Sequence, residues 1–343
     1  MSSTKLSYCH GTSNEPLIGA TLHDFIGRIK EENPDKEAIV SLEQDVRLTY
    51  AELSTRAEFL AKQLIASGIE KGDRVGIWST NNYEWFVIFL AVSRIGAILV
   101  NINPSYQLLE LKYALNQSGT RLLFSLPENR GSNYFEMIKE LAPHVFDTTY
   151  DVDQSDCQML EKVVWISEEF DKQFITFDHF VDAGKLIDDN HFEQNLASVQ
   201  IDDPVNIQYT SGTTGYPKGV TLSHHNIVNN AIYAARAMRL NESSRFCVPM
   251  PFYHCGGLIS SALATLVTGG CVVIPSAYFI DEKTLEAIDK ESCTHLSGVP
   301  TMFIAQLSHS NFDQYRLSSL VGGFMAGAPC PIELMKEVAT RMN

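Results

Sequence analysis

Residues 205–222 read VNIQYTSGTTGYPKGVTL, and this stretch decides how the chain is interpreted. Before the glycines, apolar residues alternate with the polar Asn206 and Gln208, which predicts a half-buried strand. Residues 219–222 predict a second strand, and Ser223 is a suitable N-cap for a helix whose apolar residues recur at helical spacing. The order of strand, glycine-rich loop, strand and helix predicts a hairpin whose tip is held by rigid elements.

The tip of this hairpin is rich in hydrogen-bond donors. Its glycines allow positive φ, so that successive backbone N–H groups can converge on an anion. Its hydroxyl groups add donors, and Lys218 adds a compact positive charge. An ordinary polar turn needs only one or two glycines and no such density of donors. We therefore predict a polyphosphate-binding loop that consists of Thr210, Ser211, Gly212, Thr213, Thr214, Gly215, Tyr216, Pro217 and Lys218.

This loop differs from a Walker A loop, in which Gly-Lys-Ser/Thr leads directly into a helix. Here Pro217 precedes the lysine and Gly219 follows it. An unrelated P-loop-like phosphotransferase is therefore a poor alternative.

The loop instead resembles the signature loop of the adenylate-forming superfamily, which includes acyl-CoA synthetases, firefly luciferase and the adenylation domains of peptide synthetases. Further matches to that family are spread over nearly the whole chain, and they are LTYAEL at 48–53, NINPSY at 101–106, SHHNIVNN at 223–230, PMPFYHCGG at 249–257 and GGFMAGAP at 322–329. Within the family, the sequence is most similar to the mitochondrial medium-chain acyl-CoA ligases. The resemblance implies an ATP-dependent fatty acid ligase.

The resemblance also implies a reaction and its site. A carboxylate attacks the α-phosphate of ATP to give an acyl-adenylate and pyrophosphate, and the thiol of coenzyme A then attacks the acyl carbon. ATP, Mg²⁺ and coenzyme A are the implied co-substrates, and the loop would hold the β- and γ-phosphates. Lys218 and His254 are the implied catalytic residues, with His254 orienting the carboxylate, and Gly327, Ala328 and Pro329 would lie against the adenine. Taken alone, His254 also fits a packed, hydrogen-bonded core histidine.

Seven cysteines are spread along the chain without a Cys-x-x-Cys pair, which is typical of free thiols in a reducing compartment. Cys255 follows His254 and is a candidate nucleophile. An acylation that proceeds through ATP needs no enzyme thiol, however, so a buried cysteine is the alternative. No spacing of His, Cys and Asp predicts a zinc site, and we predict no bound metal among the site residues.

Bulk properties narrow the function further. A chain of 343 residues with 45% hydrophobic content predicts a sizeable core and about two domains. Its net charge of −15 argues against a nucleic-acid partner. The most apolar stretch, residues 85–100, is interrupted by polar residues and predicts a buried helix and strand rather than a transmembrane segment. We expect an intracellular protein: the resemblance implies the mitochondrial matrix, but no presequence is visible, so the cytoplasm stays open.

Alternating strand and helix patterns predict an α/β fold with two doubly wound, mostly parallel sheets and helices on both faces. We place the first subdomain at 1–199, including an irregular connection near 127–199, and the phosphate-loop subdomain at 200–343.

The family pattern also includes a Tyr-Gly-x-Thr-Glu segment, a ribose-binding aspartate and a mobile C-terminal lid domain with a catalytic lysine, and none of them is found before Asn343. The resemblance therefore predicts a truncated chain that makes no acyl-CoA at a useful rate by itself. The alternative function is a catalytically incompetent fragment that retains partial nucleotide or acyl binding.

Overall fold

The computed structural model describes residues 16–167, 174–187, 192, 198–210 and 216–342. Within these residues the chain forms two six-stranded sheets and one two-stranded hairpin, with helices packed against the sheets. The predicted α/β fold with two mostly parallel sheets is confirmed.

The strands are β1 Glu37–Ser41, β2 Val46–Thr49, β3 Arg74–Trp78, β4 Ile98–Ile102, β5 Thr120–Ser125, β6 Glu128–Asn129, β7 Ser132–Asn133, β8 Lys162–Trp165, β9 Pro204–Thr210, β10 Lys218–Ser223, β11 Arg245–Cys247, β12 Cys271–Ile274, β13 His295–Gly298 and β14 Gly322–Met325. The helices are α1 Leu22–Glu32, α2 Tyr50–Ala66, α3 Glu84–Arg94, α4 Leu108–Ser118, α5 Tyr134–Leu141, α6 Phe177–Ala183, α7 His224–Met238, α9 Asp281–Glu291, α10 Pro300–Leu307 and α11 Ile332–Arg341. Helix α8 consists of Cys255–Gly257, a π-helical turn at Leu258–Leu263 and Ala264–Leu266.

Local signals in the sequence explain where two of these helices begin. The Thr49 hydroxyl accepts the backbone N–H of Glu52 at the start of α2, and the Glu52 carboxylate reaches back to the Thr49 N–H, as in a capping box. Ser223 caps α7 in the same way through Asn226. Both caps satisfy backbone donors that would otherwise lack partners.

The first sheet has the order β10-β9-β4-β3-β5-β8, and all of its pairs except β9 with β10 are parallel. Every residue of α3 from Glu84 to Ser93 is buried, and so is every residue of β4. The prediction of a buried helix and strand across residues 85–100 is therefore confirmed. In the described parts of the chain, no helix has both the length and the apolar character needed to span a bilayer.

The second sheet has the order β14-β13-β11-β12-β1-β2, and β1 pairs in parallel with β12. The N-terminal strands β1 and β2 thus join a sheet whose other strands follow residue 244, while β9 and β10 join the first sheet. Sheet membership therefore does not follow the boundary that we placed after residue 199.

An ion-pair cluster joins the N-terminal strands β1 and β2 to strand β11 and helix α9. The Arg245 guanidinium lies 2.7 Å from the carboxylate of Glu37 and 2.5 Å from that of Glu291. Arg47 also pairs with both carboxylates, at 2.8 and 2.5 Å. The Glu291 side chain is buried, so removing one partner would leave an unpaired charge in the interior.

Candidate functional site

The predicted phosphate loop lies at the tip of the hairpin formed by β9 and β10. These strands are antiparallel, and Lys218 is the register partner of Thr210. Both residues are exposed at the point where the strands lead into the loop. Ser211, Gly212, Thr213, Thr214 and Gly215 lie outside the described residues, so their roles stay predictions.

Helix α4 supports the outgoing side of this loop. The Tyr216 ring stacks on the Tyr113 ring, with their centroids 5.0 Å apart and their planes at 25°. The Tyr113 hydroxyl donates to the carbonyl of Pro217 at 3.1 Å, and the Tyr209 hydroxyl donates to the carbonyl of Ala114 at 3.0 Å. Tyr113 could not be predicted from the sequence, because nothing local links residue 113 to residue 216.

His254 lies at the start of α8 and is exposed. Its Nδ1 accepts the backbone N–H of Gly256 at 3.1 Å, so the ring caps the helix. The Cys255 Sγ lies 3.7 Å from the same nitrogen, and this hydrogen bond raises the pKa of His254 and lowers the pKa of Cys255. His254 is therefore hydrogen-bonded, as a structural histidine would be, but it is exposed and not part of the core, and its role in orienting the carboxylate stays a prediction.

The segment before His254 is tightly packed. Phe252 is fully buried, and its ring packs edge-on against Phe86 with the centroids 5.0 Å apart. A Cβ at Gly257 would lie 2.3 Å from the carbonyl oxygen of Pro251, so only glycine allows α8 to begin this close to the preceding loop. This packing fixes where the chain presents His254.

The predicted adenine-side residues follow the end of β14. Gly327, Ala328 and Pro329 are exposed, and Gly327 has a φ of 83°. The preceding Ala326 donates its N–H to the carbonyl of Gly298 at the end of β13, at 3.1 Å.

Helix α8 is hydrogen-bonded to the same strand β13. The Ser261 hydroxyl donates to the carbonyl of Gly256 at 2.7 Å and is hydrogen-bonded to the Ser297 hydroxyl at 2.9 Å. The helix that begins after His254 and the adenine-side segment are therefore both anchored on β13.

The predicted residues that the structure describes lie beyond the carboxyl ends of parallel strands. Thr210 ends β9, His254 follows β11, and residues 327–329 follow β14. Open α/β sheets bind ligands at this edge. Among the described residues, no hydrogen bond or ion pair joins Lys218 to His254.

A cavity of about 370 Å³ with both polar and apolar lining residues lies between the two sheets, next to this edge. Gln44, Asn81, Glu84 and Asp178 are among its lining residues. Both carboxylate oxygens of Glu84 accept from the Gln44 amide, at 2.9 and 3.2 Å. Burial raises the pKa of Glu84 to about 7.

Neither Asn81 nor Glu84 was identified from the sequence, although polar residues directly after a buried strand such as β3 could have marked them. Within the described residues, no group of three or more His, Cys, Asp or Glu side chains is placed to hold a metal ion.

Comparison with known proteins gives a consistent result. The family described as AMP-binding enzyme matches residues 28–343. YngI of Bacillus subtilis strain 168, provisionally named an acyl-CoA synthetase, is 40% identical over 94% of this chain and 59% of its own length. The mitochondrial medium-chain acyl-CoA ligases ACSF2 of Danio rerio and Homo sapiens are 37% and 35% identical, over 98% of this chain and 56% of their own length. The chain thus spans somewhat more than half the length of these curated relatives.

Solved structures share the fold. The anthranilate CoA ligase AuaEII in complex with anthranoyl-AMP has a TM-score of 0.81 at 23% identity and covers 96% of this chain and 59% of its own. The inhibitor-bound N-terminal domain of FACL13 from Mycobacterium tuberculosis has a TM-score of 0.76 at 23% identity, over 94% of this chain and 73% of its own.

Proposed function

Because this chain belongs to the AMP-binding enzymes, in the family of acyl-CoA synthetases and ligases, we propose that it carries the ATP- and acid-binding part of an ATP-dependent acyl-CoA ligase. The observation that carries this proposal is the family match over residues 28–343. The arrangement of Thr210, His254 and residues 327–329 along one edge of the sheets supports it. Several relatives are named medium-chain acyl-CoA ligases, which favours a medium-chain fatty acid as the substrate.

The proposed reaction has two steps. The fatty acid carboxylate attacks the α-phosphate of ATP, which forms an acyl-adenylate and releases pyrophosphate. The sulfur of coenzyme A then attacks the acyl carbon, which forms the thioester and releases AMP. The anthranoyl-AMP bound to AuaEII supports an acyl-adenylate intermediate in this fold.

The residues of this chain contribute mainly by position and charge. Lys218 would neutralise the phosphate oxygens as pyrophosphate leaves, and the loop would supply backbone donors to them. The exposed His254 would orient the carboxylate, and residues 327–329 would lie against the adenine. Mg²⁺ would arrive with the ATP phosphates and share their charge.

We propose a mitochondrial location, because its vertebrate relatives are named as mitochondrial.

The test is to replace Lys218 by alanine and to measure ATP affinity by calorimetry, together with ATP–pyrophosphate exchange over a series of straight-chain carboxylic acids. The parent should bind ATP and support exchange best with medium-chain acids. Lys218→Ala should weaken ATP binding or slow exchange by roughly 1.5 to 3 kcal/mol, the usual value of a charged hydrogen bond. Calorimetry requires no turnover and so tests the nucleotide site separately.

Lys283→Ala is the matched control, because Lys283 is also an exposed lysine but lies on α9 and pairs with Glu286. It should leave ATP binding unchanged. Equal ATP binding by the folded Lys218→Ala variant and the parent would refute the role of Lys218. ATP binding without acid-dependent exchange would instead support the incompetent-fragment alternative.

A further inference from the structure

We propose that Asn81, Asn101 and Asn206 are positioning residues that hold His254 at a fixed place relative to the strand that enters the phosphate loop. This inference rests on the proposed function for its catalytic consequence. The positioning itself is a property of the chain that can be measured without turnover.

The first part of the arrangement is a clamp on the backbone of Phe252. The Asn81 side chain accepts the N–H of Phe252 at 2.8 Å and donates to the carbonyl of Met250 at 2.8 Å. The Asn101 side chain donates to the carbonyl of Phe252 at 3.4 Å. Asn81 follows β3 and Asn101 lies on β4. Two neighbouring strands of the first sheet therefore hold the segment that follows β11 of the second sheet.

The second part extends this clamp to β9. The Asn206 amide donates to the Oδ1 of Asn101 at 2.9 Å and to the carbonyl of Leu99 at 2.9 Å. The Gln208 amide in turn donates to the Oδ1 of Asn206 at 2.8 Å. The side-chain bonds therefore run in one direction, from Gln208 through Asn206 and Asn101 to Phe252.

Both ends of this series of hydrogen-bonded amides are close in sequence to proposed functional residues. Phe252 is two residues before His254, and Gln208 is two residues before Thr210, where the phosphate loop begins. The connection thus links the histidine to the loop across two sheets. None of the hydrogen bonds described above for these amides reaches the His254 ring, so the amides act through the backbone that they hold.

The burial of these amides separates this interpretation from ordinary core packing. Asn206, Asn101, Asn81 and Gln208 are 0, 1, 5 and 6% exposed. Buried amides cost free energy unless they are hydrogen-bonded, and apolar side chains of similar size would avoid that cost. Because each amide orients the next, losing one removes a hydrogen bond from its buried neighbour and weakens the hold on the backbone of Phe252.

The first experiment uses Cys255 as a reporter of the position of His254. Cys255 is exposed, and its thiol is activated by the hydrogen bond with His254. Alkylation by iodoacetamide at pH 7 is followed for each cysteine by peptide mass spectrometry, with the exposed Cys330 as the internal reference. Asn101→Leu should lower the Cys255 rate relative to Cys330 by roughly three- to tenfold, towards the rate in His254→Ala, because less thiolate is present.

Asn229→Leu is the matched control for this experiment. Asn229 is also a buried amide, and it hydrogen-bonds the backbone of Ile18 and His225 instead. The control should leave the Cys255 rate unchanged. If Asn101→Leu does not fold, Asn206→Ala cuts the connection at β9 and should also lower the rate. An unchanged rate in the folded variants would overturn the proposal.

The second experiment is a double-mutant cycle in the ATP–pyrophosphate exchange assay. Asn101→Leu should slow exchange by roughly tenfold or more in the parent, since small misplacements of reacting groups are costly. In a His254→Ala background, the same substitution should change exchange by less than about twofold, because the histidine it positions is gone. Full additivity would contradict positioning through His254. Absence of exchange in the parent would count against the proposed function alone, since the thiol experiment needs no turnover.

Discussion

Glu84 is a carboxyl group in the interior of the molecule. It is 7% exposed, at the start of α3, and its oxygens accept from the Gln44 amide. Burial raises its pKa to about 7 because the charged form loses its hydration. Asp178, across the cavity, acts in the same direction. Near neutral pH, both the protonated and the ionised form of the Glu84 carboxyl are therefore populated in the folded protein.

Glu84→Gln should change how stability depends on pH. Between about pH 4.5 and pH 7, Glu84 of the parent is protonated in the folded state but ionised in the unfolded state. This group therefore makes the protein less stable as the pH rises through that range. Glutamine keeps the shape and an acceptor for Gln44 but has no charge. The variant should gain stability relative to the parent above pH 7, by up to about 3 kcal/mol, and little at pH 4. Urea unfolding from pH 4 to 8 measures this difference.

Glu333→Gln serves as the control, because Glu333 is an exposed carboxylate on α11. It should not reproduce the gain in stability that Glu84→Gln shows above pH 7. A difference between Glu84→Gln and the parent that stays constant with pH would mean that Glu84 titrates as an ordinary carboxyl.

At the scale of elements, the hairpin of β9 and β10 is the part of the site that most needs support. β10 is an edge strand, and its residues from Lys218 to Thr221 are exposed. Helix α4 supplies the support through the Tyr113 ring, which stacks on Tyr216, and through the bond from its hydroxyl to Pro217. The loop is therefore held at both ends, by β9 on one side and α4 on the other.

Tyr113→Ala should loosen the outgoing side of the loop. The stack and the hydroxyl bond are both lost, so hydrogen exchange should become faster at the amides of residues 218–221. ATP binding should weaken because the donors are less well ordered. The melting temperature should change little, since the contact lies at the surface.

Tyr233→Ala provides the comparison, because Tyr233 is a partly exposed tyrosine on α7, away from the hairpin. It should affect neither exchange at residues 218–221 nor ATP binding. Tyr113→Phe should fall between the parent and Tyr113→Ala, because it keeps the stack and loses the hydroxyl bonds to Pro217 and Gln117. Unchanged exchange in Tyr113→Ala would show that α4 does not hold the loop.

At the scale of the whole molecule, each of the two large sheets contains strands from both halves of the chain. β1 and β2 complete the second sheet, and β9 and β10 complete the first. The cluster of Glu37, Arg47, Arg245 and Glu291 adds charged contacts across the same long sequence separation. The molecule should therefore unfold as one cooperative unit.

Fragments 1–199 and 200–343 should not fold when they are expressed separately. Each would lack two strands of its sheet, which leaves backbone donors and acceptors unpaired and apolar surface exposed. Circular dichroism with thermal melting should show no cooperative transition for either fragment alone. Mixing the two restores every strand and should recover a transition, which is the control. A cooperative transition in one isolated fragment would establish an independent domain.

Local patterns in the sequence were sufficient for most elements and for the family. The buried helix and strand predicted across residues 85–100 are present, because their signal is a run of apolar residues that are adjacent in the chain. The hairpin was also predicted correctly, since its glycines and hydroxyl residues are adjacent in sequence. The resemblance to adenylate-forming enzymes rests on such contiguous strings and agrees with the family match.

Only the tertiary structure decided how distant segments meet. The alternation in β9 predicted that Asn206 and Gln208 face solvent, but both are buried, because the polar face of this strand meets Asn101 and the segment of Phe252. Likewise, β1 lies beside β12 because their backbones pair across more than two hundred residues. Periodicity reports which side chains are apolar. Whether a polar side chain is solvated or bonded in the interior depends on its partner, and packing brings that partner from elsewhere in the chain.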